Sequence, residues 1–187
     1  MKLRELIASD LFRYTGKVSF KKFLYCFFVI EGFQYMFFLR ITKYLSEKKF
    51  AFIFFLFTRL ILRHLSHKYG IHIPYKTKIG YGFYIGHFGG IIVNPNTVFG
   101  NNINISQGVT IGSNNPKKFA IIEDMVYIAP GVKIIGDKKI GTCSEIGANA
   151  VVTKDVEPYT CVAGVPAKVI KKLGPKPRFV TRIYIPK

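Results

Sequence analysis

Acidic residues are scarce in this chain. Ten Asp and Glu stand against 28 Lys and Arg, a formal net charge of +18 over 187 residues. The imbalance is even, with 13 basic and 4 acidic residues in 1–70, and 15 and 6 in 71–187. Such a surface attracts polyanions: nucleic acid, anionic lipid or a phosphorylated ligand. Cysteine is also sparse. Cys26, Cys143 and Cys161 are odd in number, form no CxxC pair and have no histidine at metal-ligand spacing. These features argue against a disulfide framework and a structural zinc, no metal is expected, and a reducing compartment fits. No apolar run reaches the about 18 to 20 residues that a membrane span needs. The first run meets Glu31 and Gln34, and the second meets Arg59. Residues 1–10 carry acids and no small-residue cleavage site, so no signal peptide is read and the chain is expected to be cytoplasmic.

What is present is apolar: 49% hydrophobic and 16% aromatic, enough for a real core in one or two modest domains. Much of it recurs every six residues. Ile128, Ile134, Ile140, Ile146 and Val152 form one ladder; Ile79, Ile85 and Ile91 a second; Val93, Phe99, Ile105 and Ile111 a third. Glycine often follows the aliphatic residue, as at Gly80, Gly86, Gly112, Gly141 and Gly147. A helix would put residues six apart on nearly opposite faces, and a flat strand would not fix glycine at one offset. A six-residue period marks a parallel β-helix, each hexad one short strand and turn. The ladder slips twice. Two extra residues stand around Phe88-Gly89-Gly90, just after His87, and five more fall in the 113–119 excursion. Stacked coils leave no room inside, so the extra residues must leave the wall, often beside a functional site.

Three segments follow: a helical segment over 1–70, the repeats over 71–167, and a basic tail over 168–187. Residues 1–19 read as partly helical, ending near Thr15-Gly16-Lys17, and 20–69 as aromatic-rich helices stopping at Gly70. A buried strand over 50–57 stays open as an alternative. Two readings fit so much Phe beside so much Lys and Arg. The helices pack on each other and across an oligomer interface, or they face anionic lipid with Lys21, Lys22, Lys43, Lys48 and Lys49 at the headgroups. The tail holds seven basic residues and no acid, the pattern of a solvated charge run.

Five stretches resemble the hexapeptide-repeat acyltransferases, with the nearest look to serine acetyltransferases and polysaccharide O-acetyltransferases. They are Gly32-Phe33-Gln34 with Arg40, Ile85-Gly86-His87-Phe88-Gly89-Gly90-Ile91, Ile105 to Gly112, Ile146-Gly147-Ala148, and Val162 to Lys168. The resemblance implies a left-handed β-helix, a hand that the rule for right-handed crossovers would not suggest. It also implies a trimer that uses acetyl-CoA as co-substrate, with no nucleic-acid partner.

By the same resemblance His87 is the general base. A hydroxyl attacks a thioester poorly unless a base removes its proton, and imidazole, with a pKa near 6.5, suits neutral pH. Gly86, Gln107 and Phe119 match acceptor positions. Ala129, Ala148, Thr153, Lys154, Lys168 and Lys171 match coenzyme A positions, the last two for its phosphates. His72 lies where serine acetyltransferases place a carboxylate supporting the base. Those enzymes have Asp directly before the base, where this chain has Gly86, and a second His where it has Phe119. The departures lead to an expectation: O-acetylation of a sugar in a surface polysaccharide or its lipid-linked precursor. The alternatives are serine O-acetylation and an inert membrane-surface scaffold.

Overall fold

The computed structural model describes residues 1–186 apart from Asn114 and Pro116, and does not describe the side chain of Lys49. Those two residues of the 113–119 excursion, and Lys49 as a headgroup contact, therefore lie outside the described residues. Four α-helices come first: α1 Leu3–Thr15, α2 Phe20–Val29, α3 Glu31–Ser46 and α4 Phe52–Tyr69, the last entered through a 3-10 turn at Lys49–Ala51. The 50–57 run is thus helical. Local chemistry sets the ends. Glu5 accepts from the Lys2 amide at 2.9 Å in a capping box, and the Ser19 hydroxyl accepts from the Lys22 amide. Gly16 and Gly70 close α1 and α4 in the left-handed region, at φ +69° and +61°. No single helix among the described residues is long and apolar enough to cross a membrane. The pair α2 and α3 has the composition, but it is bent by 104°.

From Ile71 the chain winds as a parallel β-helix with three faces. Face A stacks β1 Ile71–His72, β4 Ile91–Val93, β7 Thr110–Gly112, β10 Lys133–Ile135 and β13 Val151–Val152. Face B stacks β2 Lys78–Ile79, β5 Val98–Phe99, β8 Ile121–Ile122 and β11 Lys139–Ile140. Face C stacks β3 Tyr84–Ile85, β6 Asn104–Ile105, β9 Tyr127–Ile128, β12 Glu145–Ile146 and β14 Thr160–Ala163, then adds β15 Lys168–Lys172 antiparallel at the edge. The fold class expected from the repeat, a mainly β parallel helix behind an N-terminal helical segment, is the one observed. Register explains the ladders. Val93, Ile111, Ile134 and Val152 stack on face A, and Ile85, Ile105, Ile128, Ile146 and Val162 on face C, nearly all fully buried. Both slips fall at corners: residues 86–90 between faces C and A, and 113–120 between faces A and B.

Glycine after the ladder residue allows close approach of coils at Gly80, Gly141 and Gly147. A Cβ on Gly141 would lie 2.4 Å from the Pro158 nitrogen, so any side chain there forces adjacent coils apart.

The helices are bolted to the first coil. Asp10 of α1 takes two bonds from the Arg40 guanidinium of α3 at 3.0 and 3.1 Å and one from the Phe83 amide at 2.8 Å. Arg40 also donates to the Ile79 and Gly80 carbonyls. Burial pushes the Asp10 carboxyl up against the pull of Arg40, and burial pulls the Arg13 guanidinium down to about 10. Arg13 donates to the Gly82 carbonyl and to Asn104. Gly32 is small because α3 touches the coil there: a Cβ would meet the Ile85 carbonyl at 2.7 Å.

Residues beyond β15 do not trail into solvent as a free charge run. They form a strap down the outside of face C. Cys143 contacts the Pro175 carbonyl, Arg178 pairs with buried Glu145, and Phe179 stacks on Tyr127 at 4.6 Å. Asn104 donates to the Phe179 carbonyl. Lower down, Asn102 and Tyr184 exchange two hydrogen bonds at 3.0 and 2.9 Å. The Tyr184 ring meets Phe12 and Tyr81, and Arg182 donates to the Tyr14 carbonyl of α1.

Candidate active site

His87 sits at the corner between faces C and A of the first coil, exposed, in the 86–90 loop. The loop is gripped on two sides. The Tyr14 hydroxyl bonds both the amide and the carbonyl of Ile85 at 3.1 Å, and burial raises its pKa well above the ordinary range. Tyr69 places its ring 5.9 Å from that of Phe88, and Gly70 leaves space where a Cβ would meet Gly90 at 3.1 Å. Neither tyrosine stood out in the sequence. Each acts through one contact with a loop far along the chain, and no periodicity marks it.

The register then builds a column above His87. Because Ile85 pairs with Ile105 and Ile105 with Ile128, Gly86 lies beside Ser106 and Ala129, and His87 beside Gln107. Ile146 continues the column, so Gly147 stands next to Ala129 and Ala148 above Pro130. The corner is a smooth track of small side chains rising about 4.8 Å per coil from the imidazole. The Gln107 side-chain oxygen is buried without a hydrogen-bond partner among the described residues. That acceptor belongs to the residue next to His87 in the register and has its bonding capacity unused.

The other expected residues lie elsewhere. Thr153, Lys154 and Lys168 together line a cavity of about 330 Å³ at the top of the stack, with Asp155 and Glu157 on its rim. Lys171 is exposed on β15 opposite Cys161. Phe119, half-buried, ends the excursion at the corner between faces A and B, so one chain does not bring it to Gly86 and His87. His72 is exposed on β1, in a cavity of about 570 Å³ shared with Arg59, Arg63 and His67 of α4. The two arginines make that cavity basic, and Gly90 of the His87 loop lines it as well. His64 lies exposed on α4.

The cysteines are not part of this chemistry. Burial pushes the thiols of Cys26, Cys143 and Cys161 up, away from the reactive thiolate form. Among the described residues no group of three His, Cys, Asp or Glu is placed to hold a metal ion.

Comparison with known proteins bears on this geometry. No family model matches the sequence. Serine acetyltransferase from Bacillus subtilis is 35% identical over 142 residues, which is 74% of this chain and 64% of that protein. The Staphylococcus epidermidis serine acetyltransferase is 40% identical over 108 residues, 56% of this chain and 51% of that one. The chain thus spans under two thirds of the length of these relatives. Among solved structures, Neisseria gonorrhoeae serine acetyltransferase superposes with a TM-score of 0.79 at 27% identity, covering 94% of this chain and 69% of its own. A serine acetyltransferase in complex with CoA gives 0.74 at 28% identity, over 90% and 69%.

In fold and sequence the chain is serine acetyltransferase-like: its parallel β-helix behind an N-terminal helical segment matches the solved structures of those hexapeptide-repeat proteins, a left-handed β-helix architecture.

The expectation of a sugar acceptor is corrected by the same comparisons. The relatives and neighbours described above are serine acetyltransferases, and none is a polysaccharide enzyme. The structure supplies the physical reason. Within one chain Phe119 lies at a different corner from Gly86 and His87, so the two departures from the serine pattern do not together mark a sugar site. The absence of two charged side chains also removes only two possible partners for an amino acid. The inert-scaffold alternative gives way with it.

Proposed function

We propose that the protein transfers the acetyl group of acetyl-CoA to the hydroxyl of serine. The observation that carries this reading is the 35% identity to a serine acetyltransferase over 142 residues, a stretch long enough to take in the coils with the His87 corner. His87 accepts the hydroxyl proton as the oxygen bonds to the thioester carbonyl carbon. Backbone N–H groups at the corner are the available donors for the resulting oxyanion. Collapse breaks the carbon–sulfur bond, and the imidazolium returns its proton to the departing thiolate. The small residues Ala129 and Ala148 admit the pantetheine arm along the track, and Gln107 bonds the ligand beside the base. Thr153, Lys154, Lys168 and Lys171 meet the phosphate end, where lysine serves as a point charge.

These residues fall at two different corners of the triangular stack, which supports a homotrimer in which a neighbouring copy completes each site. Light scattering is expected to give the trimer mass, and a fully active monomer would contradict it. Acetyl-CoA lies in the cytoplasm, where this reading places the enzyme. The acceptor is tested by following thiol release from acetyl-CoA with serine. A kcat/KM of about 10⁴ M⁻¹s⁻¹ or more is expected, the ordinary enzyme range. Thiol release with no response to serine overturns the proposal.

A further inference from the structure

The helices leave an apolar surface that the coils do not cover. The buried residues of α4 are Leu62, Leu65 and Tyr69, all in its C-terminal half, which packs on the first coil. Its N-terminal half projects. Ile53 is 78% exposed, Phe54 68% and Phe57 63%, and Phe50 in the turn before is fully exposed. Phe52, Leu56 and Leu60 are exposed as well. At 100° per residue this set wraps more than half of the helix circumference. The character then changes along the axis, with Arg59, Arg63, His64, His67 and Lys68 as the exposed side chains that follow. Helix α2 repeats the composition: Phe20, Leu24, Tyr25 and Phe28 are exposed beside Lys21 and Lys22. Neither helix contains an Asp or Glu.

Large exposed apolar patches mark binding surfaces, and the charge pattern selects the occupant. A second copy meeting this face about a two-fold axis would set Arg59 and Arg63 against their own images, with no acid on the helix to pair them. An anionic lipid surface satisfies both halves at once. Ile53 and Arg59 are six residues apart, a rise of about 9 Å, which matches the ~5–10 Å to which interfacial helices sink. With the apolar tip at that depth, the arginines stand at the phosphates, each contributing to attraction within a Debye length.

We propose that the tip of the α3–α4 hairpin, residues 50–57, docks this protein on an anionic lipid surface, with Arg59 and Arg63 at the headgroups. The proposal does not depend on the acceptor. It is tested by co-sedimenting the full chain with vesicles of phosphatidylglycerol and phosphatidylcholine in equal parts, and with phosphatidylcholine alone. Binding is expected to the anionic vesicles only, and to weaken as salt is raised. Phe54→Ser with Phe57→Ser should lower binding by roughly tenfold or more, since two exposed rings lose their insertion. Arg59→Gln with Arg63→Gln should remove the preference for anionic lipid. All four positions are exposed, and far-UV circular dichroism checks that the variants fold. Absence of binding to either vesicle, equal binding to both, or full binding by both double variants overturns the proposal. So does a fall in mass by light scattering for the phenylalanine variant without any vesicle binding by the parent, which assigns the face to a second copy.

Discussion

His87→Ala is expected to lower kcat by about 10² to 10⁴, the range for loss of a general base, while coenzyme A still binds. The geometry separates the two effects. His87 is the foot of the column, exposed and without a hydrogen bond to another described residue, so its removal leaves the wall intact. The corner keeps its shape through the Tyr14 bonds to Ile85, which the substitution does not touch. In the proposed function coenzyme A binding draws on Ala129, Ala148 and the lysines at the far end of the stack, coils away from the imidazole. Steady-state kinetics joined to a direct binding measurement reads both quantities. A variant with near-parental kcat would remove His87 from the role of base. A loss of coenzyme A binding equal to the loss of rate would make it a ligand contact instead.

Asp10→Ala should cost about 3–5 kcal/mol of folding stability, the range for removing one partner of a buried ion pair. Asp10 and Arg40 are each almost fully enclosed, with side-chain exposures of 2% and 3%. Removing the carboxylate leaves a guanidinium in the interior with only the Ile79 and Gly80 carbonyls, and orphans the Phe83 amide. The loss reflects the isolated cation more than the value of the pair. Hence Asp10→Leu with Arg40→Met should be milder than Asp10→Ala alone. Urea denaturation compares the three proteins. A single variant within 1 kcal/mol of the parent would show that the lock is dispensable.

The repeat was legible because inward positions of a β-helix recur every six residues whatever the tertiary contacts. Each ladder therefore steps from face to face around the coils, and residues about three hexads apart, such as Ile85, Ile105, Ile128 and Ile146, stack in space. The two slips were legible for the same reason: Ile85 to Val93 and Ile111 to Ile122 exceed one hexad by the residues that leave the wall. Corner position was legible too, had hexads been counted around the triangle. Phe119 follows a face A strand and His87 a face C strand, which sets them apart in one chain. Handedness was not legible from period, since crossover chirality favours the other hand. The strap was hidden because its partners come roughly one per coil: Glu145, Tyr127, Asn104 and Asn102. A run so rich in Lys and Arg carries no period, and its anchors, Phe179 and Tyr184, are single aromatic residues.

The strap bears on how the chain matures at the ribosome. Stacked coils are quasi-one-dimensional, each touching only its neighbours, and can form in order as they emerge. The strap breaks that order by joining residues 178–184 to coils made long before and to α1, made before any coil. At roughly 5–20 residues per second, synthesis of this chain lasts on the order of ten to forty seconds. Between their own synthesis and that of residues 178–184, Asn102, Asn104 and Glu145 have no strap to bond and the outside of face C stands bare. A nascent chain of this protein therefore presents to chaperones an unpaired polar face that the finished molecule never shows.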